Sequence, residues 1–208
     1  MLILAGKTCS GKTTLLYKFR DLGFRVISTF TTRPKREGEQ NGENYYFISE
    51  DDFRSKIEQG FFAEYTKYNV ASGETWYYGT SKESLKGDGV IILNPDGVKA
   101  VSKLDLHDAV VCYIKCEDKT LENRLTARGD NEAEAQRRLK ADKEDFNDFD
   151  KYAHIIVHND TDTDMKTLCD EVKSMYEYIL KLIKCIDCNG VGVDENGRYC
   201  DSRCKNGS

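Results

Sequence analysis

The pattern G-x-x-x-x-G-K-[ST], which runs from Gly6 to Thr13, constrains this chain more than any other feature. The apolar run 1–5 before it predicts a short buried strand, and the spacing of apolar residues over 13–19 predicts a helix after it. A glycine-rich turn between strand and helix presents several backbone N–H groups, and the amino end of the helix adds more. The order strand, loop, helix therefore predicts an α/β fold with a phosphate-binding loop.

The residue types in this loop suit a nucleoside triphosphate. Its backbone N–H groups are expected to surround phosphate oxygens, Lys12 to reach the β- and γ-phosphates, and the Thr13 hydroxyl to bind Mg²⁺. The predicted triphosphate-binding residues are Gly6, Cys9, Ser10, Gly11, Lys12, Thr13 and Thr14. The alternative is a glycine-rich turn without a ligand, which the flanking strand and helix argue against.

Charge and composition argue against several classes of partner. The chain has 208 residues, and its formal net charge of -5 gives no general attraction for nucleic acid. No apolar run approaches the roughly 20 residues of a membrane span, and the amino terminus lacks the basic and small-residue pattern of a signal peptide. We therefore expect a cytoplasmic protein that binds neither nucleic acid nor membrane.

A basic segment punctuated by glycines follows the predicted second strand, 24–28. Arg33 and Arg36 suit a dianionic phosphate, because planar guanidinium groups bind its oxygens in pairs, and Tyr45 would add a phenolic donor. A solvated turn is the alternative for such a segment.

Several ordered motifs across about residues 1–183 resemble the guanylate kinase family. The first is T-T-R-x-x-R-x-G-E-x-x-G-x-x-Y-x-F, from Thr31 to Phe47. The others are 61–65, 77–81, 124–129, 138–139 and 152–160. The resemblance implies an enzyme that transfers a phosphoryl group from ATP to GMP or dGMP in line, with Mg²⁺ and without a covalent intermediate.

The same resemblance implies roles for an acceptor-binding set. Arg33, Arg36, Tyr45 and Tyr78 would hold the acceptor phosphate, with Thr29 nearby. Glu64 would accept hydrogen bonds from the guanine N1–H and 2-amino groups, a pair of donors that adenine lacks. Thr80 would bind O6, and Asp96 would position the guanine or Mg²⁺-bound water. The acceptor set is therefore Thr29, Arg33, Arg36, Tyr45, Glu64, Tyr78, Thr80 and Asp96.

A charged lid would complete the predicted catalytic set. Arg128 and Arg138, helped by Arg124 or Arg137, would neutralise charge on the transferring phosphoryl group. The implied catalytic residues are therefore Lys12, Arg128 and Arg138.

Two stretches depart from the family pattern. Residues 66–76 make the connection between Glu64 and Tyr78 longer than expected, either as a hairpin over the acceptor site or as an inert surface loop. The family usually has two acidic residues after the strand at 90–93, whereas this chain has Asn94 and Asp96.

The resemblance also implies the architecture, a three-layer α/β/α fold with a parallel core sheet of the P-loop NTPase type. The kinase-like domain, 1–184, would comprise a core of 1–28 and 88–184, an inserted α+β acceptor-binding subdomain over 29–87, and a helical lid at about 128–140. Within the core, apolar periodicity predicts helices over 98–104, 118–128 and from Asp162, a strand over 109–114, and a helix that follows a charged lid segment, 129–138, and ends near Phe149.

The last part of the chain, 185–208, predicts a separate zinc-binding tail. Cys185, Cys188, Cys200 and Cys204 have the spacing C-x2-C-x11-C-x3-C, with turn-forming residues between the pairs. Four thiolates brought together in this way would form a tetrahedral structural Zn²⁺ site. Disulfides and free thiols are the alternatives. Such a tail could also contact a partner, which nothing in the sequence identifies.

Two further functions fit the same residues. One is a kinase for another nucleoside monophosphate or a sugar phosphate, which Asn94 and the longer connection leave open. The other is a non-catalytic interaction module of the same fold. The intact phosphate loop, with Gly6, Gly11 and Lys12, argues against the second.

Overall fold

The fold contains two sheets joined by helices. A computed structural model of the protein describes residues 1–70, 72–104, 106, 108–129, 132–160 and 163–186. Residues 184–186 are described by their backbone alone. The elements in chain order are β1 Leu2–Ala5, α1 Lys12–Asp21, β2 Thr29–Thr31, β3 Tyr45–Phe47, α2 Glu50–Glu58, β4 Phe62–Asn69, β5 Thr75–Ser81, β6 Val90–Ile92, α3 Pro95–Val101, β7 Val110–Lys115, α4 Asp118–Ala127, α5 Glu132–Asp145, a 3-10 helix Phe149–Tyr152, β8 Ile155–His158 and α6 Met165–Ile186.

The first sheet is parallel throughout, in the strand order β6-β1-β7-β8. Parallel neighbours need long crossover connections, and helices provide them here. Because β1 lies in the interior of the sheet, all four of its residues are buried. The carboxyl ends of parallel strands share one edge, so the loops after β1, β6 and β7 meet there.

Alternation along β1 divides the core into two layers. Leu2 and Leu4 pack with residues of α1 and α6, whereas Ile3 and Ala5 belong to the cluster that includes residues of α3. Successive side chains of a strand point to opposite faces of its sheet, so an apolar run with no polar alternation requires cover on both faces. The predicted three-layer α/β/α arrangement is therefore confirmed.

The second sheet, with the order β3-β2-β5-β4, combines parallel and antiparallel pairs. Its own small core consists of Phe53 from α2 together with Phe62 and Tyr77 from the β4–β5 hairpin. The rings of Phe53 and Phe62 stack with centroids 4.4 Å apart. This core is separate from the two clusters of the parallel sheet, because different elements supply it.

Three elements differ from their predicted bounds. The second strand predicted over 24–28 is reduced to one bridge, between Val26 and Val90, because the chain then turns into the second sheet at β2. Helix α3 begins earlier than predicted, at Pro95, where the side chain of Asn94 accepts a hydrogen bond from the Gly97 N–H and caps the helix.

The charged segment 129–138 also differs, since α5 already begins at Glu132. Glu134 forms ion pairs with Arg137 and Arg138, three and four positions further on, and such pairs stabilise a helix. The lid arginines therefore project from a helix. None of the helices that the structure describes has the length and apolar character needed to cross a lipid bilayer.

The separate core of the second sheet leads to a stability prediction. Phe53→Ala should cost about 3–5 kcal/mol, because Phe53 is fully buried and its truncation would leave a cavity in this small core. Hydrogen exchange should show faster exchange of the β4 and β5 amides, with little change in β1 and β7. Phe149→Ala, which empties a site in the parallel-sheet core, is the matched control and should show the opposite pattern. Equal acceleration in both sheets would contradict two separate cores.

Candidate active site

The phosphate loop connects β1 to α1 at the carboxyl edge of the parallel sheet. Gly11 directly precedes the helix with φ +95°, and a Cβ there would lie 2.2 Å from Nδ2 of Asn159. A side chain at Gly6 would meet the Ser10 hydroxyl and the Ile114 carbonyl within 2.6 Å. Both positions need glycine, one for its backbone conformation and both for space. Nδ2 of Asn159 also donates to the Ser10 carbonyl, at 2.9 Å. Because Asn159 directly follows β8, this hydrogen bond holds the loop against the end of that strand.

Lys12, the first residue of α1, folds back over this loop. Its Nζ donates to the carbonyl oxygens of Gly6 and Lys7, both at 2.7 Å. Burial lowers the pKa of the Lys12 ammonium to about 8, although the nearby Asp142 carboxylate opposes the shift. An anion could replace these carbonyl oxygens as the partner of the Lys12 ammonium, because it would offer a full negative charge.

Helices α4 and α5 contact the loop from the other side. The Thr8 N–H donates to Oδ2 of Asp142 at 2.6 Å, so a carboxylate of α5 occupies one of the loop's backbone donors. Arg124 of α4 donates to the Cys9 carbonyl at 3.3 Å. The loop is thus in direct contact with the two helices that flank the lid segment.

The second sheet provides another group of basic side chains. Arg33 is buried, donates to both carboxylate oxygens of Glu39 and lies 5.0 Å from the ring centroid of Tyr45. The pKa of Arg36 is lowered, mainly by burial and then by the charges of Arg33, Arg128 and Arg138. Because the charges of Arg128 and Arg138 act on Arg36, arginines from the second sheet and from the lid lie close to one another.

The tyrosines beside these arginines are neutral donors. Burial raises the pKa of Tyr45 to about 12, and it also raises that of Tyr78. The two rings contact each other edge to face, with centroids 6.2 Å apart. Two guanidinium groups and two phenols therefore surround a site whose chemistry suits a phosphate dianion.

Glu64 and Thr80 face each other across the β4–β5 hairpin. They are direct cross-strand partners, and the Thr80 hydroxyl donates to Oε1 of Glu64 at 2.5 Å. Burial raises the pKa of Glu64, while the hydrogen bonds from Thr80 oppose the shift. A partly buried carboxylate that lines the cleft suits the adjacent N–H donors of a ligand, because its two oxygens are both acceptors.

One cleft of about 440 Å³ joins all these groups. The predicted residues that line it are Gly6, Cys9, Gly11, Lys12, Thr13, Thr14, Thr29, Arg33, Arg36, Tyr45, Glu64, Tyr78, Thr80, Arg128 and Arg138. Arg124 and Arg137 line it too. Residues as far apart in sequence as the phosphate loop and the lid therefore share one solvent-accessible space.

Two residues of the predicted set lie elsewhere. The Ser10 side chain is fully buried beneath the loop, with no hydrogen-bond partner for its hydroxyl among the described residues. Asp96 does not line the cleft; it is exposed near the start of α3 and pairs with Lys99 at 3.2 Å, although its charge still acts on Glu64 and Tyr68, which do line it. The metal-binding prediction for Cys188, Cys200 and Cys204 falls outside the described residues, and the side chain of Cys185 does as well.

The cleft also contains residues that the sequence analysis did not identify. Asp142 and Asp145 come from α5, and Tyr68 and Trp76 from the connection 66–76. Period-two alternation from Glu64 and back from Thr80 would have placed Tyr68 and Trp76 on the face of Glu64. Asp142 lies one helical turn after Arg138, a spacing that would have placed both on one face.

This cleft and its parallel sheet define a P-loop nucleotide-binding α/β protein with a second anion site opposite the phosphate loop. A family model described as guanylate kinase matches residues 1–175. A guanylate kinase of Hydrogenovibrio crunogenus is 35% identical over 176 residues, covering 80% of this chain and 83% of the relative. One of Blochmanniella floridana is 33% identical over 170 residues, covering 76% and 78%. The chain belongs to the guanylate kinase family.

A solved structure agrees with the fold. The crystal structure of guanylate kinase from Anaplasma phagocytophilum superposes with a TM-score of 0.65 at 18% identity, covering 86% of this chain and 85% of that one. At this identity the likeness supports the architecture, and the family assignment rests on the family model and the relatives.

The lowered pKa of Lys12 predicts proton uptake when a nucleoside triphosphate binds. Phosphate oxygens favour the ammonium form, so binding should raise this pKa from about 8 and take up protons near pH 8.5, but hardly any near pH 6.5. Calorimetry in buffers of different ionisation enthalpy measures the uptake directly. Lys12→Met should abolish it without unfolding the protein. Equal uptake in the variant would show that another group titrates.

Proposed function

We propose that the protein transfers the γ-phosphoryl group of ATP to the phosphate of GMP or dGMP. The observation that best supports this is the shared cleft, which the phosphate loop and the Glu64–Thr80 pair both line. Arginines from the second sheet and the lid line the same cleft. Such a cleft can hold two phosphorylated ligands with their phosphates adjacent.

The acceptor phosphate would lie among Arg33, Arg36, Tyr45 and Tyr78. Burial lowers the pKa of Arg36, and the charges of Arg33, Arg128 and Arg138 lower it further, so an anion among them would offset that repulsion. Glu39, which also lines the cleft, holds the Arg33 side chain in place. A preformed arginine needs little reorganisation when a phosphate arrives.

Glu64 would select guanine. Guanine presents N1–H and the 2-amino group side by side, and a carboxylate accepts from both, whereas adenine offers no such pair. Thr80, which donates to Oε1 of Glu64, would keep the carboxylate oriented and remain close enough to address O6. A buried carboxylate left without partners is costly, so the wrong base would be disfavoured.

The reaction needs no nucleophile from the protein. An oxygen of the acceptor phosphate would attack the γ-phosphorus of ATP in line, and the bond to the β–γ bridging oxygen would break, which gives ADP and GDP. Lys12, Arg128 and Arg138 would stabilise the negative charge on the transferring group and on the leaving oxygens. Arg124 and Arg137 line the same space and would share this role.

Mg²⁺ fits the residues at the start of α1. The Thr13 hydroxyl is exposed on the cleft and is the kind of oxygen ligand that Mg²⁺ takes beside phosphates and water. When bound with ATP, the ion would neutralise part of the negative charge of the phosphates.

We also infer how the chain is divided. Residues 29–87 contain the second sheet with its own core, which supports a unit that brings the acceptor to the phosphate loop. The lid, about 128–140, would supply arginines once both nucleotides are bound. The rest of 1–184 would form the core that binds ATP.

A coupled assay across GMP, dGMP, AMP, dTMP and dCMP, on wild-type protein and Glu64→Gln, tests the proposal. Wild type should prefer the guanine nucleotides. The variant places an N–H donor against a donor of guanine, a mismatch of about 1–3 kcal/mol in a buried site, so kcat/KM for GMP should fall while that for AMP should not.

Glu74→Gln is the matched control, because Glu74 lies at the exposed tip of the same hairpin and outside the cleft. It should leave every substrate unchanged. Equal losses for GMP and AMP in Glu64→Gln would contradict base recognition by Glu64. A wild-type preference for another monophosphate would overturn the choice of substrate.

For the tail we propose one structural Zn²⁺ ion per chain, bound by Cys185, Cys188, Cys200 and Cys204. The support is the C-x2-C-x11-C-x3-C spacing alone. Among the described residues there is no cluster of three or more metal-binding side chains. Four thiolates leave no open coordination position, so this ion would take no part in phosphoryl transfer.

Elemental analysis should therefore find about one zinc per chain, and a Cys188→Ser, Cys200→Ser double variant should lose it while phosphorylation continues. No zinc in the wild type, with two disulfides in non-reducing mass spectrometry, would contradict the metal site. Loss of catalysis together with the metal would contradict a purely structural role.

A further inference from the structure

We propose that Trp76 is a positioning residue that holds Arg138 where it acts on the transferring phosphoryl group, and that the longer β4–β5 connection provides this contact. The inference rests on the proposed function, because it assumes that Arg138 acts on the transferring phosphoryl group. It assigns a role to the stretch 66–76, which departs from the family pattern.

Each cross-strand pair of the β4–β5 hairpin forms one rung, and the register of the hairpin determines which rungs face the cleft. Three cross-strand pairs lie on the same face, namely Glu64 with Thr80, Thr66 with Tyr78, and Tyr68 with Trp76. All six side chains line the cleft. Rungs two residues apart are separated by about 7 Å. The outer rung therefore lies one step beyond Tyr78, on the side away from the base-recognising pair.

Trp76 meets the lid at this outer rung. The guanidinium carbon of Arg138 lies over the Trp76 ring, 5.7 Å from its centroid, a distance at which a cation is attracted to the face of an aromatic ring. Nε of Arg138 also donates to Oε1 of Glu134, at 2.7 Å. Arg138 is thus held by a carboxylate on its own helix and by an aromatic ring from the second sheet.

Tyr68, the partner of Trp76 in the same rung, joins the hairpin to the parallel-sheet core. Nδ2 of Asn94 donates to the Tyr68 hydroxyl at 2.7 Å and to the Thr66 hydroxyl at 2.8 Å. Oδ1 of Asn94 meanwhile caps α3. One rung therefore contacts both the element that follows β6 and the lid, so the position of Trp76 is defined relative to the core.

A role in the core alone does not explain Trp76. Its chain neighbour Tyr77 points to the other face and belongs to the buried core of the second sheet, whereas Trp76 faces the cleft and is only partly buried. An indole there is a large apolar surface among arginines and phosphate-binding groups. Contact with a guanidinium plane is the interaction for which that surface is suited.

Steady-state kinetics of Trp76→Leu and Trp76→Phe test the proposal. Leucine removes the aromatic face, so kcat should fall about 10-fold, and phenylalanine keeps it, so kcat should fall only about 2-fold. KM for ATP should not change in either variant, because Trp76 is assigned to the transferring step. Tyr65→Leu is the control, since Tyr65 lies on the opposite face of β4 and is exposed. It should leave kcat unchanged.

A double-mutant cycle shows whether the effect passes through Arg138. Arg138→Ala should lower kcat strongly, and adding Trp76→Leu to it should change kcat by less than about 2-fold. Thermal unfolding of each variant checks that the fold is retained, and Trp76→Phe keeps the test valid if leucine destabilises the hairpin.

Two results would overturn the inference. A full additional loss from Trp76→Leu in the Arg138→Ala background would mean that Trp76 acts by another route. An increase in KM for GMP with unchanged kcat would make Trp76 a wall of the acceptor site. Normal kcat in Arg138→Ala would instead contradict the proposed function of Arg138, so the two failures are distinguishable.

Discussion

The concentration of positive charge in one cleft is the constraint on which the rest of the structure depends. Lysine and arginine side chains from the phosphate loop, the second sheet and the lid line the same space, and in a partly buried cleft their repulsion is poorly screened. Three acidic side chains offset it. Glu39 binds Arg33, Glu134 binds Arg137 and Arg138, and Asp142 accepts from the phosphate loop and lies near Lys12. Each of them keeps a cation or a donor oriented in the absence of phosphates. Nucleotide phosphates would enter a cleft whose donors are already in place.

The two sheets give this charge distribution its geometry. The parallel sheet brings the loops after β1, β6 and β7 to one edge, where the phosphate loop and the amino end of α3 lie. The chain passes from the parallel sheet into the second sheet at β2. One face of the β4–β5 hairpin of the second sheet then lies at the same edge. Asn94 connects the two, because its amide bonds to the hairpin while its carbonyl caps α3. Asn94, which stands where the family usually has an acidic residue, therefore links the core to the hairpin. Its partners in this link are the hydroxyl groups of Thr66 and Tyr68, which belong to the stretch that lengthens the hairpin.

Much of the fold and the site was predictable from local pattern. The phosphate loop and the strand at β7 follow from short-range rules, since a glycine-rich turn and an apolar run have few alternative structures, whereas the parallel layer was implied by the family resemblance. The errors lie where the chain changes partner. Residues 24–28 were predicted as a strand, but the ladder stops at Val26 because β2 pairs in the other sheet. Asp96 was predicted to position the guanine or Mg²⁺-bound water; it is exposed near the start of α3 and pairs with Lys99, and its role stays a prediction. Residues 132–138 were predicted as a lid segment before a helix, although Glu134 already pairs within the helix.

The sequence by itself determined which groups could bind phosphate and where glycine was required, because these properties depend on residue type and near neighbours. Lys12, Arg33 and Arg36 could be identified without coordinates for that reason, whereas the role of Glu64 was implied by the family resemblance. Only the tertiary structure decided which groups act on one another. Thr8 and Asp142 are 134 positions apart and share a hydrogen bond, and Trp76 meets Arg138 across two different elements. Such contacts depend on strand register and on helix packing over long separations, where a shift of one residue turns a side chain to the other face.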